Sequence, residues 1–152
     1  MNVKNIKKWF WTFVLAGSMV IPVMAEEKVD VSKLPPVSDQ KVDFVKDIKP
    51  VLEKSCFKCH GGGRRPKSKY SVENREMLIK GGSSEEKAVI VGKSTESKLI
   101  HFAADLVEEY EMPPLDDRDS FPKLTAKQVS MFRAWIDQGA KWPDGEVLKL
   151  PE

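Results

Sequence analysis

The chain has only two cysteines, and both stand in Cys56-Phe57-Lys58-Cys59-His60. A CxxCH pentapeptide is the attachment site of c-type haem, with two thioethers from the sulfurs to the porphyrin vinyls and an iron bond from the adjacent histidine. The other readings of this pair are weaker. A disulfide across two residues belongs with a thioredoxin-like βαβ pattern, which the chain does not display. Zinc would need both cysteines and both histidines, and His60 follows Cys59 too directly for a tetrahedral site. Cys56 and Cys59 are therefore expected to hold one covalent haem c, with His60 as its proximal iron ligand.

The N-terminus supports that reading. Lys4, Lys7 and Lys8 precede an uncharged stretch from Trp9 to Met24, followed by Ala25 and the acidic pair Glu26-Glu27. This is the layout of a signal peptide, residues 1–25, with cleavage expected after Ala25 and a periplasmic or otherwise exported product. The stretch is short for a spanning helix and is interrupted by Gly17, Ser18 and Pro22. Membrane anchoring, the alternative, is expected only if the segment stays uncleaved, with Trp9-Phe10-Trp11 at the interface. Export and motif agree, because thioether attachment needs an apo-protein with free thiols outside the cytoplasm.

Without residues 1–25 the chain carries 22 basic and 23 acidic residues, a formal charge of −1. The +2 of the full chain is thus no argument for a nucleic-acid partner, and none is expected. Residues 26–152 are also only about 36% apolar, below the usual globular share. A core that thin gains from a large apolar cofactor to fold around.

Residues 26–42 are charged, contain Pro35-Pro36 and lack a sustained apolar period, so they read as a flexible arm. From Asp43 the pattern becomes helical: Phe44, Ile48, Val51 and Leu52 recur at helical spacing up to Cys56, with Pro50 tolerable only in a first turn. Gly61 to Pro66 must be a loop, in which Arg64 and Arg65 read as a solvated turn more readily than as partners of haem propionates. Asn74 to Lys80 reads as a short helix stopped by Gly81-Gly82, and Ala88 to Val91 as an extended piece ending at Gly92. Ser94 is expected to cap a helix carrying Leu99, Ile100 and Ala103. Thr125 and Gln128 form a capping box for the clearest helix, whose face is Val129, Phe132, Trp135 and Ile136, with Gly139 and Pro143 ending it. About four helices, long loops and a minor extended segment make an all-α domain over 43–145, with a tail at 146–152.

The iron needs a sixth ligand, and Met77, Met112, Met131 and His101 are the candidates. Met77 and Met131 fall in helices where core packing explains them. Met112 sits in Tyr110-Glu111-Met112-Pro113-Pro114, where two prolines stiffen the backbone and a rigid loop can hold a weak thioether ligand in place. Met112 is the expected ligand, and His101, on the Ser94 helix, is the alternative. His/Met ligation raises the potential and leaves no vacant iron position, which suits electron transfer. The remaining nitrogen of His60 is expected to donate to a backbone carbonyl.

These blocks together resemble the planctomycete-type cytochrome c domain, a variant of the class I cytochrome c fold. The matching stretches are Asp47-Ile48-Lys49-Pro50-Val51-Leu52, the CFKCHGGG segment, Asn74 to Gly82, Ser97-Lys98-Leu99-Ile100, Met112-Pro113-Pro114, Leu124-Thr125 and Arg133 to Pro143, within residues 43–143. The resemblance implies a cytochrome c-like fold, haem on Cys56 and Cys59, His60 and Met112 as axial ligands, and Trp135 packed near the haem. The expected function is that of a mono-haem electron carrier, not an enzyme, meeting redox partner proteins; a haem peroxidase-like enzyme and a gas-sensing haem domain are the alternatives. The thin core generates one expectation: a haem-free Cys56→Ser, Cys59→Ser chain should lack a cooperative thermal transition, and a native-like one seen by calorimetry would contradict it.

Overall fold

A computed structural model describes residues 28–62 and 65–150. The expected signal segment lies outside the described residues. Five α-helices follow in order: α1 (Lys49–Ser55), α2 (Phe57–His60), α3 (Arg75–Lys80), α4 (Lys98–Ala103) and α5 (Ala126–Asp137). Short 3₁₀ turns occur at Val31–Lys33, Lys67–Lys69, Ser94–Glu96 and Leu115–Asp117, and there is no strand among the described residues.

α5 is the centre of the packing. Its capping box forms as the sequence requires: Gln128 N–H donates to the Thr125 hydroxyl at 3.2 Å, and Thr125 N–H donates to the Gln128 side chain at 2.8 Å. Phe132, Trp135 and Ile136 are buried on it, with Trp135 lying 6.0 Å from the Phe44 ring and 6.1 Å from Phe132. The Trp135 indole N–H donates to Lys141 O at 2.7 Å, so the one polar atom of the largest core side chain is satisfied. Beyond the helix, Gly139 at φ +101 turns the chain. Arg75 of α3 reaches back to the carbonyls there, donating to Ala140 O at 2.7 Å and Gly139 O at 3.1 Å. A cation at those carbonyls also complements the negative end of the α5 dipole.

The helix expected from Asp43 begins as a wider π-type turn, Phe44–Ile48, and becomes α-helical at Lys49. The change falls where Pro50 can neither donate a backbone hydrogen bond nor pass close to the carbonyl four residues earlier. Phe44, Ile48, Val51 and Leu52 are all buried, as their spacing requires.

Three sequence expectations are corrected. Ser94 does not cap α4; it opens its own 3₁₀ turn and is buried, its N–H and hydroxyl donating to the Asp137 carboxylate at 2.7 and 2.8 Å. The tie to α5 outcompetes the local cap, and Ser97 precedes α4 instead, donating to Lys93 O and bonding Ile90. Met77 is not a core residue but 43% exposed, because six-residue α3 buries only Leu78. The segment Ala88 to Val91 pairs in no ladder; Ala88 and Val89 N–H donate to Ile79 O, and Leu99 N–H to Ala88 O, which links α3 to α4.

The segment read as a flexible arm lies along α5. Leu34 is buried, Pro35 O accepts from Arg133, Pro36 O accepts from Ser130, and Val42 N–H donates to Gln138 at 3.0 Å. Two of these contacts use the Pro35 and Pro36 carbonyls, which composition alone does not register. At the other end Leu148 is buried, Lys149 N–H donates to Glu53 and Lys49 pairs with Glu146 at 2.6 Å. Arg75→Ala should cost the folded holoprotein about 1.5–3 kcal/mol, the usual worth of hydrogen bonds from a charged donor, read from the denaturation midpoint. An unchanged midpoint would remove Arg75 from the α5 terminus.

Candidate functional site

Cys56 is the joint between α1 and α2. Its N–H still belongs to α1, donating to Leu52 O at 3.0 Å, while its carbonyl accepts from Cys59 N–H at 3.2 Å and His60 N–H at 3.0 Å. The two sulfurs are therefore three residues apart on one helical turn, the spacing that puts side chains on the same face. Both cysteines are free thiols, partly exposed. Phe57, between them in sequence, is buried and anchors the turn to the core. Gly61 is required beside it, because a Cβ there would overlap the Phe57 ring.

His60 is oriented by the loop that follows it. Its Nδ1 lies 3.1 Å from Tyr70 O, and the acceptor there must be met by Nδ1–H, which leaves the Nε2 lone pair for a metal. Val72 N–H donates to His60 O at 2.9 Å, so the loop is closed from both ends of the same residue. The Tyr70 ring stands edge-on to the imidazole at 5.2 Å and its hydroxyl donates to Leu78 O at 3.2 Å, fixing the residue whose carbonyl accepts from His60. The expectation of a backbone carbonyl partner for His60 thus acquires its residue, Tyr70.

Burial lowers the His60 pKa against the opposing effect of carbonyls at Tyr70 and Lys67, so the neutral imidazole, the ligand form, is favoured. Burial, with Cys59 nearby, pushes the Cys56 thiol up to about 12.

Met112 stands apart from this turn, in the loop after α4. It is half-buried, and its N–H donates to Phe102 O at 2.9 Å. The Phe102 ring stacks on Tyr110 at 5.4 Å. Pro113 O accepts from Arg118 Nε at 3.0 Å, and the Arg118 guanidinium forks onto Asp105 at 3.0 and 2.6 Å. Burial works against the charge on Asp105, but Arg118 and Lys123 outweigh it and hold the carboxyl below the usual aspartate range. Sequence reading missed Arg118 and Asp105: they are thirteen positions apart, with no local pattern joining them. His101 is buried at 8% exposure with Nε2 at 2.8 Å from Thr95 O, the place of a histidine that satisfies a turn. Met131 is buried on α5, as core packing requires.

Two free thiols on one turn, followed by a neutral imidazole with its outer nitrogen held and its Nε2 available, fit c-type haem attachment. Residues 56–116 match the family model of planctomycete cytochrome C. Over that stretch the chain is similar to planctomycete cytochrome C. The matched stretch runs from Cys56 past Met112. The flanking blocks at 43–55 and 117–143, named with the resemblance, lie outside it. No curated protein and no solved structure matches the chain. Cytochrome c domains bind haem c, and are generally electron carriers.

Proposed function

We propose that this protein is a mono-haem electron carrier, with Cys56 and Cys59 as thioether anchors, His60 Nε2 as proximal ligand and Met112 Sδ as distal ligand. The observation that carries the reading is His60 itself: its Nδ1 is bonded to Tyr70 O beside two free thiols, in a segment that matches a cytochrome family. When bound, haem supplies a one-electron Fe(III)/Fe(II) couple. The chain's part is to hold the ligands still. His60 is kept in one tautomer and one ring orientation, and its neutral state is favoured by burial. Met112 is kept in a loop whose backbone is bonded on both sides. Two fixed axial ligands lower the rearrangement that each electron transfer demands and close the iron to substrate, which is why the carrier reading is preferred to a peroxidase-like or gas-sensing one.

Export accompanies this function, with the signal cleaved after Ala25. No helix among the described residues is long and apolar enough to cross a membrane.

The redox partner is a protein with an acidic docking surface. Between Glu53 and Glu73 the sequence has six cations, Lys54, Lys58, Arg64, Arg65, Lys67 and Lys69, and no acid. Of the described ones, all five are exposed, and they surround the CxxCH turn in sequence. A cationic zone on a chain of near-zero net charge steers encounter and orientation more than it adds affinity.

Purified holoprotein should contain one haem per chain, be low-spin in both oxidation states and give a reversible voltammetric wave. Met112→Ala should abolish the low-spin oxidised spectrum and lower the potential. If the spectrum and potential are unchanged, Met112 is not the ligand; resting high-spin iron in the unaltered protein would favour an enzyme or sensor instead. At a carboxylate-terminated electrode the electron-exchange rate should fall as salt rises toward about 1 M, where the screening length is about 3 Å. A salt-independent rate would count against the acidic partner.

A further inference from the structure

We propose that Arg118 is the positioning residue of the distal side, a clamp that holds the Met112 loop closed and so sets how readily Met112 leaves the iron. The proposal rests on the reading of Met112 as ligand.

Met112 lies in a long connection between α4 and α5 that has little regular structure beyond the 3₁₀ turn Leu115–Asp117. Left to itself such a loop would be a poor support for a weak thioether ligand. Two hydrogen bonds hold its backbone around Met112. On the N-terminal side Met112 N–H donates to Phe102 O at 2.9 Å, which ties the loop to α4. On the C-terminal side Pro113 O accepts from Arg118 Nε at 3.0 Å. The second bond is a side-chain bond, and its strength depends on how firmly Arg118 is held.

Arg118 is held by a planar fork. Its two terminal nitrogens meet the two Asp105 oxygens at 3.0 and 2.6 Å, and Lys123 reaches the same carboxylate at 2.6 Å. The side chains of Arg118 and Asp105 are only 21% and 19% exposed, so this pair is screened less than a surface ion pair. Asp105 sits at the end of α4 at φ +56, and Arg118 immediately follows the 3₁₀ turn. The fork thus joins the start of the loop to its end, while Nε of the same guanidinium grips the carbonyl next to Met112. One planar group makes all three bonds. A lysine could retain the charge but not the three directions. Pro113 is buried, so loss of the Arg118 bond leaves its carbonyl without this partner in a place where water reaches poorly.

The test uses the holoprotein and added imidazole, which competes with Met112 for the iron. Arg118→Ala should raise the apparent imidazole affinity by about ten- to a hundredfold, the equivalent of one lost charged hydrogen bond. Arg118→Lys should restore little of it although the charge is kept. In a Met112→Ala background, Arg118→Ala should no longer alter imidazole affinity, since no internal ligand remains to be displaced. Amide exchange at Met112, followed in the same variants, reports the loop independently of the iron and should accelerate in Arg118→Ala. Unchanged imidazole affinity with unchanged Met112 exchange overturns the clamp, as does full rescue by lysine. If exchange accelerates while Met112→Ala leaves the spectrum and imidazole affinity untouched, the loop clamp stands and the ligation reading fails. Should Arg118→Ala not fold, Asp105→Asn, which weakens the fork but keeps the side-chain shape, must show the same direction of change, and its failure to do so overturns the proposal.

Discussion

Burial of the apolar face of α5 is the constraint on which the other elements depend. Phe132, Trp135 and Ile136 lose nearly all contact with water, and that burial needs partners on several sides. Phe44 supplies one side and the turn at Ser94 another. Arg75 supplies the end cap, and the segment from Leu34 to Val42 covers the outer edge through Arg133, Ser130 and Gln138. The fully buried core is small, and polar ties to backbone carbonyls do much of the joining between elements. Such ties are directional, so they specify one arrangement where a thin apolar core would tolerate several.

The site uses the same device at shorter range. His60 is bonded through its ring to Tyr70 O and through its own carbonyl to Val72 N–H, which closes a loop whose sequence, rich in glycine and cations, would not hold itself. In the loop after α4, Met112 is bonded through its N–H to Phe102 O, and the adjacent Pro113 O to Arg118. Each residue proposed as an axial ligand thus stands next to a backbone hydrogen bond that crosses from one element to another. An electron carrier gains from ligands that do not move between oxidation states, and immobility is what these bonds provide.

Legibility in the sequence followed the range of the interaction. The capping box of α5, the apolar spacing of Phe44, Ile48, Val51 and Leu52 and the glycine after α3 are local signals, and each appears where it was expected. Ser94 misled because its hydroxyl has two available uses, a cap for α4 or a bond to Asp137 forty-three residues away, and only the packed α5 decides between them. Met77 misled because helical spacing does not say how many faces of a six-residue helix are covered. The proline-rich arm read as loose because its partners, on α5 and at its C-terminal cap, are more than ninety positions distant.

By itself the sequence determined the residue pattern: two thiols and a histidine at CxxCH spacing, the spacing that fits c-type haem attachment, and a methionine followed by two prolines. The tertiary structure decided which atoms steady them. Tyr70 was picked out for His60 by its carbonyl, a group every residue carries, and Arg118 for the Met112 loop by a fork to Asp105 that forms only after α4 and the 3₁₀ turn have come together. Covalent attachment depends on neighbours along the chain, which sequence records, whereas second-layer hydrogen bonds depend on neighbours in space, which the fold creates.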